Sequence, residues 1–481
     1  MNPNNTVPAP PFRCDDSTDL LPYLEGLVTE IKKLDCSRFL SITLETGYSD
    51  PLAILESIHH PGQEVCYFER PAAEFSIACG DWVAKSTFSG ANRFAHAKKW
   101  ANATFENIHM VGNHQYPGTG PTLFIAATFE SATSSTNSPE PLQIFLPRWQ
   151  ALRRGGQNFI IYNTEINALS SPFKIHKEFT NTANRIKGMR YDTNGACNPR
   201  SIKVGPPTEK YDYEEAVKVA LKKISKENLS KIVLARQLRY ETSGELPVFS
   251  IAHDLREKFP DCYTFCLSLA KNEIMVGATP ETLLRATGSI FETEAIAGSA
   301  PRGPSAGKDA QWGKTLLGRD KEVLEHRLVI ESILRRLSSV GLTKCREGRP
   351  RLLRLANLQH VRTPVQAELT EGIHPFDALS ALHPTPAMGG TPREIALPLV
   401  SKLEKSPRGW YSGVTGWLDS RGRGEFVVPI RCGKITPSHL TLYAGAGLVE
   451  GSIPAQEKIE TDWKLQAMLE AITGRSNGSS E

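Results

Sequence analysis

Between Trp410 and Leu448 the chain reads as one strand-like run after another, broken by glycine turns such as "SRGRGE" and by no helical period. That block limits the fold more than any other feature. Upstream, "KIVLARQLRY" (Lys231–Tyr240), "TFCLSLA", "EIMVGAT" and "SIFETEAIAGS" are further strand-like runs, rich in β-branched and aromatic residues. Nearer the N-terminus come "FLSITLET", "FSIACG", "TLFIAATF" and "NFIIYNTEI", beside the helical pattern "ANRFAHAKKWANATFENI". Strands and helices do not alternate strictly. The pattern therefore predicts an α+β chain with large mixed or antiparallel sheets rather than a doubly wound parallel sheet.

Apolar spacing predicts helices over Tyr213–Lys226, over Gly313–Leu337 as one long helix, through "TPREIALPLVSKLEK", and from Ser452 onward. "ESATSSTNSPEP" (Glu130–Pro141) reads as a surface loop, and "ACNPRSIKVGPPTEKYD" as a junction. The Pro-rich start and the tail "GRSNGSSE" are expected to be disordered. There is no internal repeat.

The 481 residues carry a net charge of only +4, and the densest basic run, "KCREGRPRLLR", reads as a loop. No basic stripe accompanies that charge, which argues against nucleic acid as a partner. Nine cysteines, odd in number and scattered without a Cys-x-x-Cys pair, point to neither a disulfide framework nor structural zinc. No apolar run approaches a membrane span and the N-terminus has no apolar leader core, so a cytosolic protein is expected.

Several motifs carry candidate chemistry. In "SIPAQEKIETDWKL" (Ser452–Leu465), a helical turn of about 100° per residue puts Glu457, Glu460 and Lys464 on one arc. Ile459, Trp463 and Leu465 fall on the other side. The arc is either a solvated face with an i,i+4 ion pair or two carboxylates poised for a metal beside a lysine for an anion. In "GATPETLLR", Glu281 leaves a strand end and is either a surface carboxyl or a general acid in a cleft. "AIAGSAPRG" has the small residues that let backbone amides approach an anion, but it lacks the lysine of a nucleotide loop. "DKEVLEHRL" offers Glu325 as a hard-oxygen ligand of the kind Mg²⁺ prefers; His326 beside it points elsewhere. "HPTPAMGGTPRE" joins two helices, as a wall against a ligand or as a plain linker. "YAGAGLVEGS" brings the amides of Gly445 and Gly447 to the start of the last helix, where a carboxylate could sit. Lys231, at the start of a strand, is either a base among apolar partners or a lysine that snorkels to water.

In order, "KIVLAR", "GATPE", "AIAGSAPRG", "KEVLEH", "LQHVRT", "LHPTPAMGGTP", "RGWYSG…GEFVVPIRCGKI" and "YAGAGLVEGSIPAQEKIETDWKL" resemble the signature series of the chorismate-utilising enzymes. That family includes isochorismate, salicylate, anthranilate and aminodeoxychorismate synthases. The resemblance is dense from Lys210 to Ile472. It implies one large α+β domain with two big, mainly antiparallel sheets packed together and helices outside. Residues 1–205 would form a variable N-terminal part, 206–475 the chorismate-binding part and 476–481 a loose tail.

The resemblance also implies roles. Lys231 matches the base that activates water and Glu281 the acid. Glu325 and Glu460, with Glu457 as a further ligand directly or through water, resemble the ligands of one Mg²⁺. Lys464, Arg431, Tyr411 and the amides near Gly445 and Gly447 match positions that hold the substrate's carboxylates; Gly298, Ser299 and His360 line the ring side. Within the family, Lys231 and the "LHPTPAMGGTP" wording resemble the isochorismate synthases. Ala297 argues against an aminodeoxychorismate synthase, and Ala387 stands where salicylate synthases carry threonine. "RGWYSGVTGWLDSRGRGEF" is closer to the menaquinone-pathway synthases than to the siderophore-pathway ones. A salicylate synthase, an anthranilate synthase component I and a non-catalytic scaffold are the alternatives. The resemblance implies a monomer that acts on chorismate and needs no obligatory protein partner.

Overall fold

The computed structural model describes residues 20–60, 62–132, 139–188, 202–226, 228–270, 272–355 and 358–474. The Pro-rich start, the C-terminal tail, the middle of the Glu130–Pro141 loop and the first part of the junction lie outside these residues. Among the described residues no helix is long and apolar enough to cross a membrane.

The strand Leu142–Arg154 organises the molecule. Along one edge it pairs with Phe75–Phe88 over nearly its whole length. Its other edge is divided, Phe124–Ala127 lying opposite Leu142–Phe145 and Gln157–Tyr162 opposite Trp149–Arg154. Two series of strands leave from that fork. One runs through Phe75–Phe88, Val65–Arg70, Tyr263–Ala270, Glu273–Thr279, Cys432–Thr436 and His439–Leu448 to Lys231–Glu241. The other runs through Thr122–Ala127, Val414–Asp419, Gly424–Val427, Thr282–Ala286 and Ile290–Pro301 to Leu358–Glu368. Every one of these pairs is antiparallel; Arg38–Thr46 beside Ile108–Gly112 is the parallel exception.

The two series face each other. Phe68, Phe265 and Tyr443 of the first share a buried cluster with Phe124, Trp417 and Val427 of the second. Each outer face is then covered by helices. Pro51–Ile58, Val248–Lys258 and Pro454–Thr473 lie on the first. Arg93–Glu106, Asp320–Ser339 and Pro375–Leu382 lie on the second. The helix Asp320–Ser339 shows why it sits there: Val329, Ile330, Ile333 and Leu337 form one buried stripe. Burial of each such side chain stabilises the fold by about 1.5–3 kcal/mol.

Residues before and after position 205 interleave in both sheets: Val65–Arg70 pairs with Tyr263–Ala270, and Thr122–Ala127 with Val414–Asp419. The division at that point is one of sequence and not of space.

Three local expectations are corrected. The long helix expected over Gly313–Leu337 is two helices, Ala306–Gly318 and Asp320–Ser339. Arg319 between them is extended, with φ −78° and ψ 132°. Apolar spacing continues through the break, so periodicity alone does not reveal it. The basic run read as a loop contains the strands Cys345–Glu347 and Arg351–Arg354, both paired with Leu358–Glu368. In the last helix only part of the apolar side packs, where the sequence predicts that Ile459, Trp463 and Leu465 all do so. Ile459 is 47% and Trp463 44% exposed, whereas Glu457 and Leu465 are buried. Only the middle and end of that helix, through Leu465, Met468 and Ile472, reach the core.

Candidate functional site

The strand Lys231–Glu241, the last strand of the first sheet, and Ile290–Pro301 of the second come together around a cavity of about 100 Å³. Lys231, Glu281, Gly298, Ser299, Glu325, His360, Tyr411, Arg431, Gly445, Gly447, Glu460 and Lys464 all line it. Ala297 and Ala387 line it too. Residues picked out along some 230 positions of sequence therefore meet in one place.

Lys231 does not snorkel. Its side chain is 1% exposed and its Nζ lies 2.8 Å from Glu325 Oε1. Gly447, opposite on the paired strand, makes that contact possible. A Cβ there would stand 2.5 Å from Glu325 Oε1 and 3.3 Å from Lys231 Nζ.

Glu281 is buried at the turn between Glu273–Thr279 and Thr282–Ala286. Its amide donates to Thr279 Oγ1 (3.2 Å), and its carbonyl accepts from the Val428 amide (3.1 Å). Burial, with the Glu294 carboxylate second, pushes its carboxyl up to about 8; Lys231, Thr385 and Lys464 act weakly in the opposite sense. A buried carboxyl of that kind stays protonated at neutral pH and has a proton to give.

Gly298 has φ +77° and forms a bulge at which the pairing of Ile290–Pro301 with Leu358–Glu368 slips. The bulge turns Ser299 toward His360, whose Nδ1 lies 3.0 Å from Ser299 Oγ and 3.3 Å from Gly298 O. Arg431 Nη2 donates to His360 Nε2 at 3.2 Å. Since a guanidinium only donates, Nε2 is the acceptor and the ring proton sits on Nδ1. Burial, then the Arg431 and Lys464 charges, hold the imidazole well below its usual pKa, so it is neutral. Arg431 itself has φ +49°, a left-handed backbone that a side-chain-bearing residue rarely adopts. Tyr411 and Tyr443 stack with ring centroids 5.0 Å apart and close one wall.

The terminal helix turns its charged arc inward. Lys464 Nζ reaches Glu460 Oε1 at 2.6 Å and Gly445 O at 2.8 Å. Glu457 is buried but does not line this cavity. It faces an adjoining vestibule of about 430 Å³ that shares Ser299, Glu322 and Glu460 with the cavity. One residue the sequence reading did not single out is Glu322, which lines both spaces and has a buried Oε2 without a hydrogen-bond partner. The signal was present, since Glu322 lies one helical turn before Glu325. Tyr443, Met388 and Ile430 also line the cavity and carry no sequence signal beyond being apolar or aromatic. His326 turns away, its Nε2 lying 2.7 Å from Thr363 Oγ1. Among the described residues no three His, Cys, Asp or Glu side chains are drawn together into a finished metal cage; Glu325 and Glu460 each hold a lysine instead.

The cavity thus combines three cations, four carboxyl groups and a neutral histidine in a setting suited to a small polyanion and to proton transfer. The chain is 36% identical over 267 residues to isochorismate synthase MenF of Bacillus subtilis, covering 55% of this chain and 56% of that protein. It is 38% identical over 265 residues to the salicylate biosynthesis isochorismate synthase of Pseudomonas aeruginosa, covering 55% of each. The matched stretch thus spans a little over half the length of these curated relatives. In fold it is similar to the menaquinone-specific isochorismate synthase MenF of Escherichia coli (TM-score 0.76, 22% identity, 95% of this chain and 100% of that one). It is also similar to anthranilate synthase component I of Streptococcus pneumoniae (TM-score 0.67, 20% identity, 83% and 93%). The profile described as chorismate binding enzyme matches residues 26–473, nearly the whole described chain, and the protein belongs to that family.

Proposed function

We propose that the protein isomerises chorismate to isochorismate. The observation that carries this reading is the presence of Lys231 and Glu281 on one cavity. Burial there pushes the Glu281 carboxyl up to about 8. In the forward direction Lys231, having released its own proton, takes one from a water whose oxygen bonds to C2 of the ring. The ring double bonds shift, the C4–oxygen bond breaks, and Glu281 gives its proton to the departing hydroxyl, which leaves as water. In reverse the two residues exchange roles.

Arg431 and Lys464 are the cations for the two carboxylates of the substrate, and the amides near Gly445 and Gly447 and the Tyr411 hydroxyl lie beside them. His360, a neutral acceptor, aims the Arg431 guanidinium. Gly298 and Ser299 line the ring side.

Glu325 and Glu460 would hold Mg²⁺, for which carboxylate oxygens are suitable donors. The buried, unpartnered Oε2 of Glu322 on the same cavity supports a cation there, and Glu457 stands one step back in the vestibule. When bound, Mg²⁺ supplies electrostatic stabilisation of a substrate carboxylate. The reading needs no second protein chain and places the enzyme in the cytosol as a monomer.

The test is product analysis after incubation with chorismate, with and without Mg²⁺ and a chelator. Isochorismate alone, lost on chelation and restored by Mg²⁺, is the expected result. Salicylate plus pyruvate would make the protein a salicylate synthase. Anthranilate appearing only with ammonium salts would make it an anthranilate synthase component. No turnover at all would sink the reading.

A further inference from the structure

Behind the turn that carries Glu281 lies a second cavity, of about 240 Å³. Pro280 lines both spaces, whereas Thr282, Glu294 and Arg362 line only the rear one. One tight turn therefore separates two carboxyl groups, Glu281 on the cleft side and Glu294 on the rear side.

Their surroundings differ. Glu294 is buried and accepts twice, from the Thr282 amide at 3.2 Å and from the Arg362 guanidinium. Arg362 is delivered by strand register: it lies opposite Ile296, two residues along from Glu294. A guanidinium and a peptide N–H both favour the charged form of a carboxyl group. Glu281 has no such donors. Its side chain faces Thr385, with Lys231, Lys464 and Arg431 as the cations around the cleft, Glu322, Glu325 and Glu460 as its other carboxyl groups, and Glu294 as the like-charged group behind it.

We propose that Glu294 is a positioning residue for Glu281: a carboxylate anchored on Arg362 that fixes the Pro280–Thr282 turn and opposes ionisation of the acid in front of it. Two neighbouring carboxyl groups resist ionising together. The one with an arginine and an amide takes the charge, and the dry one keeps the proton. The geometry does a second thing. The amide that Glu294 holds belongs to the residue directly after Glu281, so the same hydrogen bond sets the direction in which Glu281 leaves the backbone.

The inference rests on the acid role proposed for Glu281, and its test is kept independent of turnover. The protein is labelled with ¹³C at glutamate carboxyl carbons and titrated by NMR without substrate. The Glu281 signal is assigned by its loss in Glu281→Gln and the Glu294 signal by its loss in Glu294→Gln. In Glu294→Gln the Glu281 midpoint is expected to fall by about one pH unit or more, a tenfold or greater loss of proton affinity. In Glu294→Asp, which keeps the charge, it should stay within about half a unit. An unmoved midpoint in Glu294→Gln, or equal falls in both variants, overturns the proposal. If Glu294→Gln does not fold, the Glu294 signal is assigned from Glu294→Asp. Arg362→Gln, which takes away the anchor of that carboxyl group, is then titrated as well: the Glu281 midpoint must move, and an unmoved midpoint refutes the idea. Lack of chorismate turnover would defeat the proposed reaction and leave this titration readable. If both readings hold, the alkaline limb of kcat/KM moves down with the midpoint in Glu294→Gln while KM changes little.

Discussion

Two buried cation–carboxylate pairs meet the Lys231–Glu241 strand within a few residues of each other, one bonded to Val233 and Ala235 and the other made by Lys231 itself, and they are built in opposite ways. Arg408 and Glu404, 1% and 3% exposed, form a saturated knot. Arg408 donates to Glu404 Oε2 (2.9 Å), Met388 O (2.8 Å) and Val233 O (2.8 Å), and its guanidinium lies 4.2 Å from the centre of the Phe129 ring. Glu404 in turn accepts from the Ala235 amide at 2.8 Å. Lys231 and Glu325 meet through one contact of 2.8 Å, and both face a cavity. A pair bonded on all sides to backbone and to each other holds structure together. A pair with capacity left over, facing open space, is free to exchange partners with a ligand.

That contrast predicts a division of labour. Lys231→Ala should cut turnover by about 10³-fold or more, the upper range for losing a general base. Its stability should fall by less than about 1.5 kcal/mol, because water entering the cavity can solvate Glu325. Rate assays beside urea unfolding would read both, and full activity would remove Lys231 from the mechanism. Arg408→Ala should do the reverse. Leaving Glu404 buried and unpaired costs about 3–5 kcal/mol, while the folded fraction keeps its affinity for chorismate to within a few fold. A loss under about 1 kcal/mol would break the comparison.

Gly447→Ala probes the sparse pair more gently. Its methyl would press on the Lys231–Glu325 contact, and a drop in kcat of about 10- to 100-fold is expected, as for a displaced catalytic group. Wild-type kcat in that variant would mean the contact has slack.

The last effect is one of pH. The native carboxyl of Glu281 lies above its ordinary value of 4.5, near 8, so between those limits the folded state holds a proton the unfolded chain has released. Its contribution to stability is full below about pH 4.5 and declines as pH rises through about 8, by at most about 1.4 kcal/mol per unit. Glu281→Gln should flatten that part of the stability curve; an unchanged slope would show that the carboxyl is not perturbed.

Much of the site was legible in the sequence because its residues come in short motifs of fixed type and order. Lys231, Glu281, Gly298, Arg431, Gly445, Gly447 and Lys464 all reach the cavity. What escaped was whatever depended on a neighbour brought in from elsewhere. Glu322 looked like one more charge on a helix, and Glu294 like an ordinary strand residue. Glu457 stops at the vestibule, since three residues set it about 4.5 Å along the helix axis from Glu460.

The terminal helix shows the boundary between the two kinds of knowledge. Sequence alone determined that "SIPAQEKIETDWKL" is a helix with Glu457, Glu460 and Lys464 on one arc, because helical periodicity is a local property of the chain. That periodicity could not determine which arc faces the protein, although the family resemblance pointed the charged arc into the cleft. By the usual rule, that apolar arcs pack and charged arcs meet water, the helix would lie the other way round. Only the tertiary structure decided the matter. Gly445 on one strand and the opposed second sheet create a polar cavity, and there Lys464 and Glu460 find partners that outweigh the exposure of Ile459 and Trp463. A helix is oriented by the surface it meets, and that surface is assembled from residues far away in the chain.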